Sequence, residues 1–275
     1  YSGKLKKIKN FNFSKFDFEN SIKNKPVFLN NGIILFDNKG SIIRFDNNSK
    51  IIWKKNFYSK SEKKNNPQLS FLVNGNKLVA IDSLSNLFLI NIENGNLFWS
   101  KKNDYPFNSE IKILKDKFFA IDLKNVLKCF YLSDGKECWR VETDKTFTVS
   151  NEKNSLLILE NLVIFINNLG DITAVDILSG NIIWQLPTQS SDIINSTYNF
   201  KNSKLVSDGK NIYFSNNFNE FYSIDTKNGS INWVNNINST LTPILINDLI
   251  VTISDNGFLF VIDKKNGNII KIKNI

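Results

Sequence analysis

One spacing constrains this chain more than any other: a glycine followed four residues later by a tryptophan, recurring along its length. Gly95 precedes Trp99, Gly135 precedes Trp139, Gly180 precedes Trp184 and Gly229 precedes Trp233. In the first copy Ser49 stands before Trp53, and in the last Gly267 precedes Lys271. Ahead of each turn an aspartate or a substitute closes an alternating run: Asp46, Asn91, Tyr131, Asp176, Asp225 and Asp263. The clearest copy runs from Gly170 to Trp184. Ile172 to Val175 alternates as a strand does, Asp176 can accept hydrogen bonds from the turn it opens, and Gly180 supplies a positive φ. That is a β-hairpin with its turn chemistry specified. Successive tryptophans lie 46, 40, 45 and 49 residues apart, the period of a four-stranded propeller blade.

Three further strands precede each tryptophan strand. In the first copy they are 27–29, 32–36 and 41–45, and equivalent trios end at Ile90, Phe130, Val175, Ile224 and Ile262. Asn74-Gly75, Asp208-Gly209 and Asn247-Asp248 suit the tight turns between them. The expectation is an all-β chain forming one domain over residues 1–275, a β-propeller of four-stranded antiparallel blades. Residues 1–10 (Y-S-G-K-L-K-K-I-K-N) closely match the end of the chain and read as an extra outer strand, with Lys7 and Lys271 where tryptophan would stand. Seven outer strands against six inner trios leave the count between six and eight blades, with seven favoured. Closure removes edge strands, so either further strands lie beyond one terminus or both termini share a blade. In the second case Gly3 and Ile270 would be neighbours.

The chain is 41% hydrophobic and 13% aromatic, which argues against disorder. Its apolar runs, such as Leu162 to Ile166, are strand-sized and too short to span a bilayer. A first residue of Tyr and the lack of Met suggest a longer reading frame, with room for a leader or lipid anchor upstream. The net charge of +9 invites a nucleic-acid partner, yet Arg44 and Arg140 are the only arginines. Bidentate readout of bases and phosphates favours arginine, and no basic cluster with interleaved aromatics occurs. Lys60, Lys63 and Lys64 read as a solvated loop. No nucleic acid is expected.

Catalysis has little to work with. The chain has no histidine, which removes the commonest general base and any Ser-His or Cys-His pair. Asp116, Asp122 and the hairpin aspartates fall at strand ends, where turn capping accounts for them. No catalytic, metal-binding or cofactor-binding residue is expected. Counting outward from the turn at Ser133 and Asp134 places Cys129 opposite Cys138. A cross-strand disulfide and two small buried apolar side chains both remain open at that pair.

The unit A-V-D-I-L-S-G-N-I-I-W (Ala174 to Trp184) resembles the quinoprotein-type, or PQQ-like, repeat, as do Ser223 to Trp233 and Val261 to Lys271. The resemblance implies that Trp53, Trp99, Trp139, Trp184 and Trp233 are structural, stacking on the neighbouring blade beside the turn glycines Gly95, Gly135, Gly180, Gly229 and Gly267. Quinone-dependent dehydrogenases carrying this repeat need vicinal cysteines and cationic side chains at the quinone, whereas these cysteines are nine apart. An all-repeat propeller without an inserted domain is more similar to the BamB family, scaffold lipoproteins of the bacterial outer-membrane β-barrel assembly machinery. That likeness implies a periplasmic protein at the outer membrane that binds a membrane-embedded protein partner and no cofactor. It nominates T-F-T-V-S-N-E (Thr146 to Glu152) as the gripping loop, with Phe147 and Val149 as its apolar pair and Ser150 where the family places arginine. An ordinary core strand is the other reading of that stretch. A sensor or adhesin ectodomain binding protein through its loops is the alternative function.

Overall fold

The computed structural model describes residues 26–144, 153–188 and 200–275. These hold 24 strands and one short helix, arranged as six four-stranded sheets. Each sheet is a meander in which every strand pairs antiparallel with its sequence neighbour. Blade 1 contains β1 (Val27–Leu29), β2 (Gly32–Phe36), β3 (Ile42–Asp46) and β4 (Ile51–Lys55). Blades 2 to 6 repeat this over 69–102, 112–142, 156–186, 206–235 and 244–274. The six sheets coincide with the six inner trios of the sequence. The extra outer strand expected at residues 1–10, and with it the juxtaposition of Gly3 and Ile270, lies outside the described residues. By internal contact the chain divides into two compact units, one reaching Phe107 and including Leu132–Gly135, the other made of Asn108–Tyr131 and Lys136–Ile275.

Burial follows the position of a strand in its sheet. The second and third strands are sandwiched on both faces and read as unbroken apolar runs, as in Leu78–Ile81 and Val163–Ile166, all at most 1% exposed. Outer strands are largely solvated except near the tryptophan, for example Ile51–Lys55. Blade 6 departs from this, since β23 (Phe258–Asp263) is mostly half-exposed and all six residues of β24 (Ile269–Asn274) are exposed.

Every third-to-fourth-strand hairpin carries a β-bulge just before the tryptophan position. Ile90 faces Leu97 but Leu89 faces Trp99, leaving Phe98 as the extra residue. Ile52, Cys138, Ile183, Asn232 and Ile270 occupy that place in the other blades. This corrects the count made from the turn. Phe130 does face Glu137, but the bulge then shifts the register, so Cys129 faces Trp139 and not Cys138. Both cysteines are free thiols. The hairpin turns themselves vary: Asn91 is bonded to Asn96 across one, whereas Asp46 and Lys50 close a turn one residue shorter in blade 1.

Two further details differ from the sequence reading. Lys60–Lys64 forms a short helix, α1, whose Ser59 and Glu62 make a reciprocal capping box. The Ser-x-x-Glu spacing was its visible signal. Positive φ does occur at the nominated turns, at Gly75, Gly209 and Asn247, and also at Lys115 and Glu160, where no glycine or asparagine announced it.

The tryptophan and the glycine meet between sheets. A Cβ added at Gly95, Gly135, Gly180, Gly229 or Gly267 would sit 2.6–2.8 Å from ring carbons of Trp53, Trp99, Trp139, Trp184 and Trp233 respectively. Gly229→Ala therefore meets both the left-handed backbone (φ +73) and the Trp184 ring, and is expected to destabilise by about 2–4 kcal/mol. Gly75→Ala has a similar φ but open space around it, so only the backbone cost of about 1 kcal/mol applies. Equal shifts of the urea midpoint in the two variants would show that the ring contact contributes nothing.

Candidate functional site

The five indoles are fully engaged. Each Nε1 donates to the carbonyl of the residue after the next blade's strand-end position: Trp53 to Ile92 (2.6 Å), Trp99 to Leu132 (3.1 Å), Trp139 to Ile177 (3.2 Å), Trp184 to Thr226 (2.9 Å) and Trp233 to Lys264 (3.0 Å). With one ring face on a glycine and the N–H satisfied, an indole offers a ligand little to bind. All five tryptophans are used on glycines, so Ser49 adopts φ 61 with its Cβ in place.

A second device repeats through the structure, and the sequence pointed to it only at Asp122. The turn joining the second and third strands is capped by a buried polar side chain in every blade: Asp37, Asp82, Asp122, Asn167, Asn216 and Ser254. Asp37 Oδ1 accepts from the backbone N–H groups of Lys39 and Ser41, and Asp82, Asp122, Asn167 and Asn216 repeat that pair of bonds. Positive φ at Gly40, Ser85, Asn125, Gly170, Asn219 and Gly257 completes the turns. The faint signal was an Asp, Asn or Ser three residues before a Gly, Ser or Asn.

Charged clusters are absorbed into the same framework. Lys128 Nζ lies 3.7 Å from Asp122 Oδ2 and 4.0 Å from Glu137 Oε2, and Arg140 donates to both Glu137 oxygens at 2.6 and 2.9 Å. The Lys128 and Asp122 side chains are 2% and 1% exposed, so Asp122 cannot present a carboxylate to a substrate. Arg44 is equally buried and donates to the Ile92 carbonyl (2.7 Å), Glu93 (3.0 Å) and Asn31 (3.2 Å). Tyr58 donates a 2.5 Å bond to Asp82, and burial, reinforced by that carboxylate, pushes its phenol far up. Among the described residues no group of three or more His, Cys, Asp or Glu side chains could hold a metal ion. Both arginines are thus tied to glutamates.

Phe147, Val149 and Ser150 lie outside the described residues, but both feet of their loop are fixed. At its start the Asn125 amide donates to the Asp144 carbonyl (3.0 Å), and Thr143 Oγ1 donates to the Asn125 carbonyl (3.0 Å). Asn167 Nδ2 reaches Thr143 Oγ1 at 3.3 Å. At its end Asn154 N–H donates to the Asn108 carbonyl, and Ser155 Oγ accepts from Leu205 N–H at 3.0 Å. Thr143, Asn154 and Ser155 are all buried. The described residues on either side of this stretch are thus held by buried polar groups.

A family profile described as outer membrane protein assembly factor BamB matches residues 38–273. The chain belongs to the BamB family. Among solved structures, BamB from Moraxella catarrhalis has a TM-score of 0.73 at 16% identity, over 90% of this chain and 75% of that one. A europium-containing methanol dehydrogenase reaches 0.62 at 13% identity, over 75% of this chain and 50% of that one. The C-terminal WD40 domain of Sif2 reaches 0.64 at 13%, over 92% and 73%. Likeness at such identities establishes the shared propeller fold and not a shared activity. No curated protein matches the sequence. Among the described residues no helix is long and apolar enough to cross a membrane.

One carboxyl beside the loop of this BamB relative has an unusual titration. Burial raises Asp171 above the ordinary aspartate range; the Asn167 amide opposes the shift and the charge of Asp144 adds to it. A raised folded-state value means that the native protein holds this proton more tightly than the unfolded chain. Its contribution therefore favours folding at acid pH and is lost as pH rises through the raised value. Asp171→Asn is expected to raise the urea midpoint at pH 7, with the gain shrinking toward pH 4. A gain of the same size at both pH values, or a loss at pH 7, would remove burial of the charge as the cause.

Proposed function

We propose that this chain is a non-enzymatic scaffold that binds a protein component of the outer-membrane β-barrel assembly apparatus from the periplasmic side. The observation that carries the reading is the extent of the BamB family match, residues 38–273, over a chain that the described structure resolves into repeats and turns. The repeated side chains support it, since the indoles and turn caps serve the packing of the sheets. The partner would then be met by loops, and the loop anchored at Thr143–Asp144 and Asn154–Ser155 is our candidate. Its Phe147 and Val149 would supply apolar anchors, and Ser150 would replace the family's charged contact with a hydroxyl.

A second reading, a quinone enzyme, arises because the repeat also occurs in quinone-dependent dehydrogenases, and a methanol dehydrogenase shares the fold over 75% of this chain. Against it stand the engagement of Arg44 and Arg140 with glutamates and the separation of the two cysteines in sequence. Spectroscopic titration with pyrroloquinoline quinone distinguishes the two readings, the scaffold predicting no saturable binding.

The scaffold reading is tested by binding to the purified barrel-embedded component of the assembly apparatus. Phe147→Glu with Val149→Glu is expected to weaken binding about 30-fold, the equivalent of one interface hot spot of about 2 kcal/mol. Thermal unfolding should be unchanged, as the loop's feet are left intact. Wild-type protein that fails to bind would overturn the scaffold reading, whereas unchanged affinity in the double variant would move the contact to another loop.

A further inference from the structure

The bulge before each tryptophan places two consecutive residues opposite one residue of the neighbouring strand. Their side chains can therefore meet the same partner. Blade 5 shows the contact directly: Asn232, its bulge residue, donates from Nδ2 to Ser223 Oγ at 3.2 Å, while Trp233 is the residue paired with Ser223. In blade 3 the same two places are held by Cys138 and Cys129. The two thiols hold the matching places, each close enough to influence the other's titration. Both pack in one apolar cluster with Phe119 and Trp139. Cys129 is fully buried and Cys138 is half-buried, so the pair has one partly exposed cysteine and one held behind it.

We propose that Cys129 and Cys138 are a reversible dithiol–disulfide site, in which Cys138 is the attacking thiol and Cys129 the resolving thiol. The oxidant is a disulfide, either a small molecule such as glutathione disulfide or a protein of the disulfide-exchange class. Cys138 releases its proton to solvent, its sulfur bonds to one sulfur of the donor, and the donor's other sulfur leaves as a thiolate. The Cys129 sulfur then attacks Cys138, and the second donor sulfur departs carrying the Cys129 proton. Two protein thiols are oxidised and one donor disulfide is reduced to two thiols. The new bond would tie β11 (Val126–Tyr131) to β12 (Glu137–Glu142) beside Trp139, whose indole donates to Ile177. Oxidation thereby fixes the strand pair that presents this docking residue. This inference stands apart from the scaffold reading.

Burial pushes both thiols above the ordinary cysteine range, with the neighbouring Cys129 opposing this at Cys138. The first attack is therefore limited by the thiolate fraction and should quicken about tenfold per pH unit between pH 7 and 8. The test incubates folded, reduced protein with graded ratios of reduced to oxidised glutathione, quenches with acid, alkylates in denaturant and weighs the intact chain. The expected result is direct conversion from the doubly alkylated chain to one lighter by two hydrogens that takes up no alkylating agent, reversed by dithiothreitol. Cys129→Ser should halt at a stable glutathione adduct on Cys138, and Cys138→Ser should stay largely unmodified. Cys129→Ala provides a second trap, since Ala174 holds the equivalent place in blade 4. Persistence of both thiols at every ratio, or accumulation of a Cys138–glutathione adduct in the wild type, would overturn the proposal.

Discussion

The contact between an indole and a glycine is what the arrangement of sheets depends on. A four-stranded antiparallel sheet buries its apolar faces only against other sheets, and something must fix how far apart and in what register they lie. Here the ring of one outer strand occupies the volume that a Cβ would need in the neighbouring turn, and its N–H bonds a carbonyl three residues before that glycine. The two requirements act together. The glycine must take a left-handed φ to close the turn and must lack a side chain to admit the ring. A single residue type satisfies both, which is why the pattern survives in a chain otherwise crowded with Asn, Lys, Ile and Phe.

That coupling explains how much of the fold was legible. Gly180 and Trp184 appear in the sequence at fixed separation because both belong to one hairpin, even though each acts on a different neighbour. The second-to-third-strand caps were harder to see. Asp37 and Asp82 look like the hairpin aspartates, but Asn167 and Asn216 share with them only an oxygen placed to accept two backbone N–H groups, and Ser254 an oxygen that accepts one. Several residue types meet that need, so no letter recurs. The bulge was invisible for a related reason. It belongs to the backbone register, and although Ile52, Ile183 and Ile270 share a side chain there, Phe98, Cys138 and Asn232 break the pattern.

The candidate site was legible only through family likeness, and the physical reason is that its chemistry is not local. Binding by apolar loop residues leaves no ligand spacing or acid–base pair to find. Conversely, the residues that would attract attention as chemistry are accounted for by structure. Lys128 and Asp122 form a buried ion pair, with the half-buried Glu137 at its edge bonded to Arg140, and Arg44 shares the Ile92 carbonyl with Trp53. Removing either partner of such a pair would strand the other in an apolar setting. A scaffold and a quinone enzyme can thus share nearly all of this framework and differ in what hangs from it.

The hairpins also separate two quantities, the length of the turn and the aim of the indole that follows it. In a regular hairpin, shortening the turn by one residue flips every following side chain to the opposite face. Blade 1 has the shorter turn, from Asp46 to Lys50, yet Trp53 still faces Arg44, just as Trp99 faces Leu89 after the longer turn of blade 2. The same bulge follows both turns, so the missing residue is absorbed inside the turn and the aim of the indole is unchanged. Turn length is therefore free to drift by insertion or deletion while the packing between sheets is preserved, and repeats of unequal period can coexist in one chain.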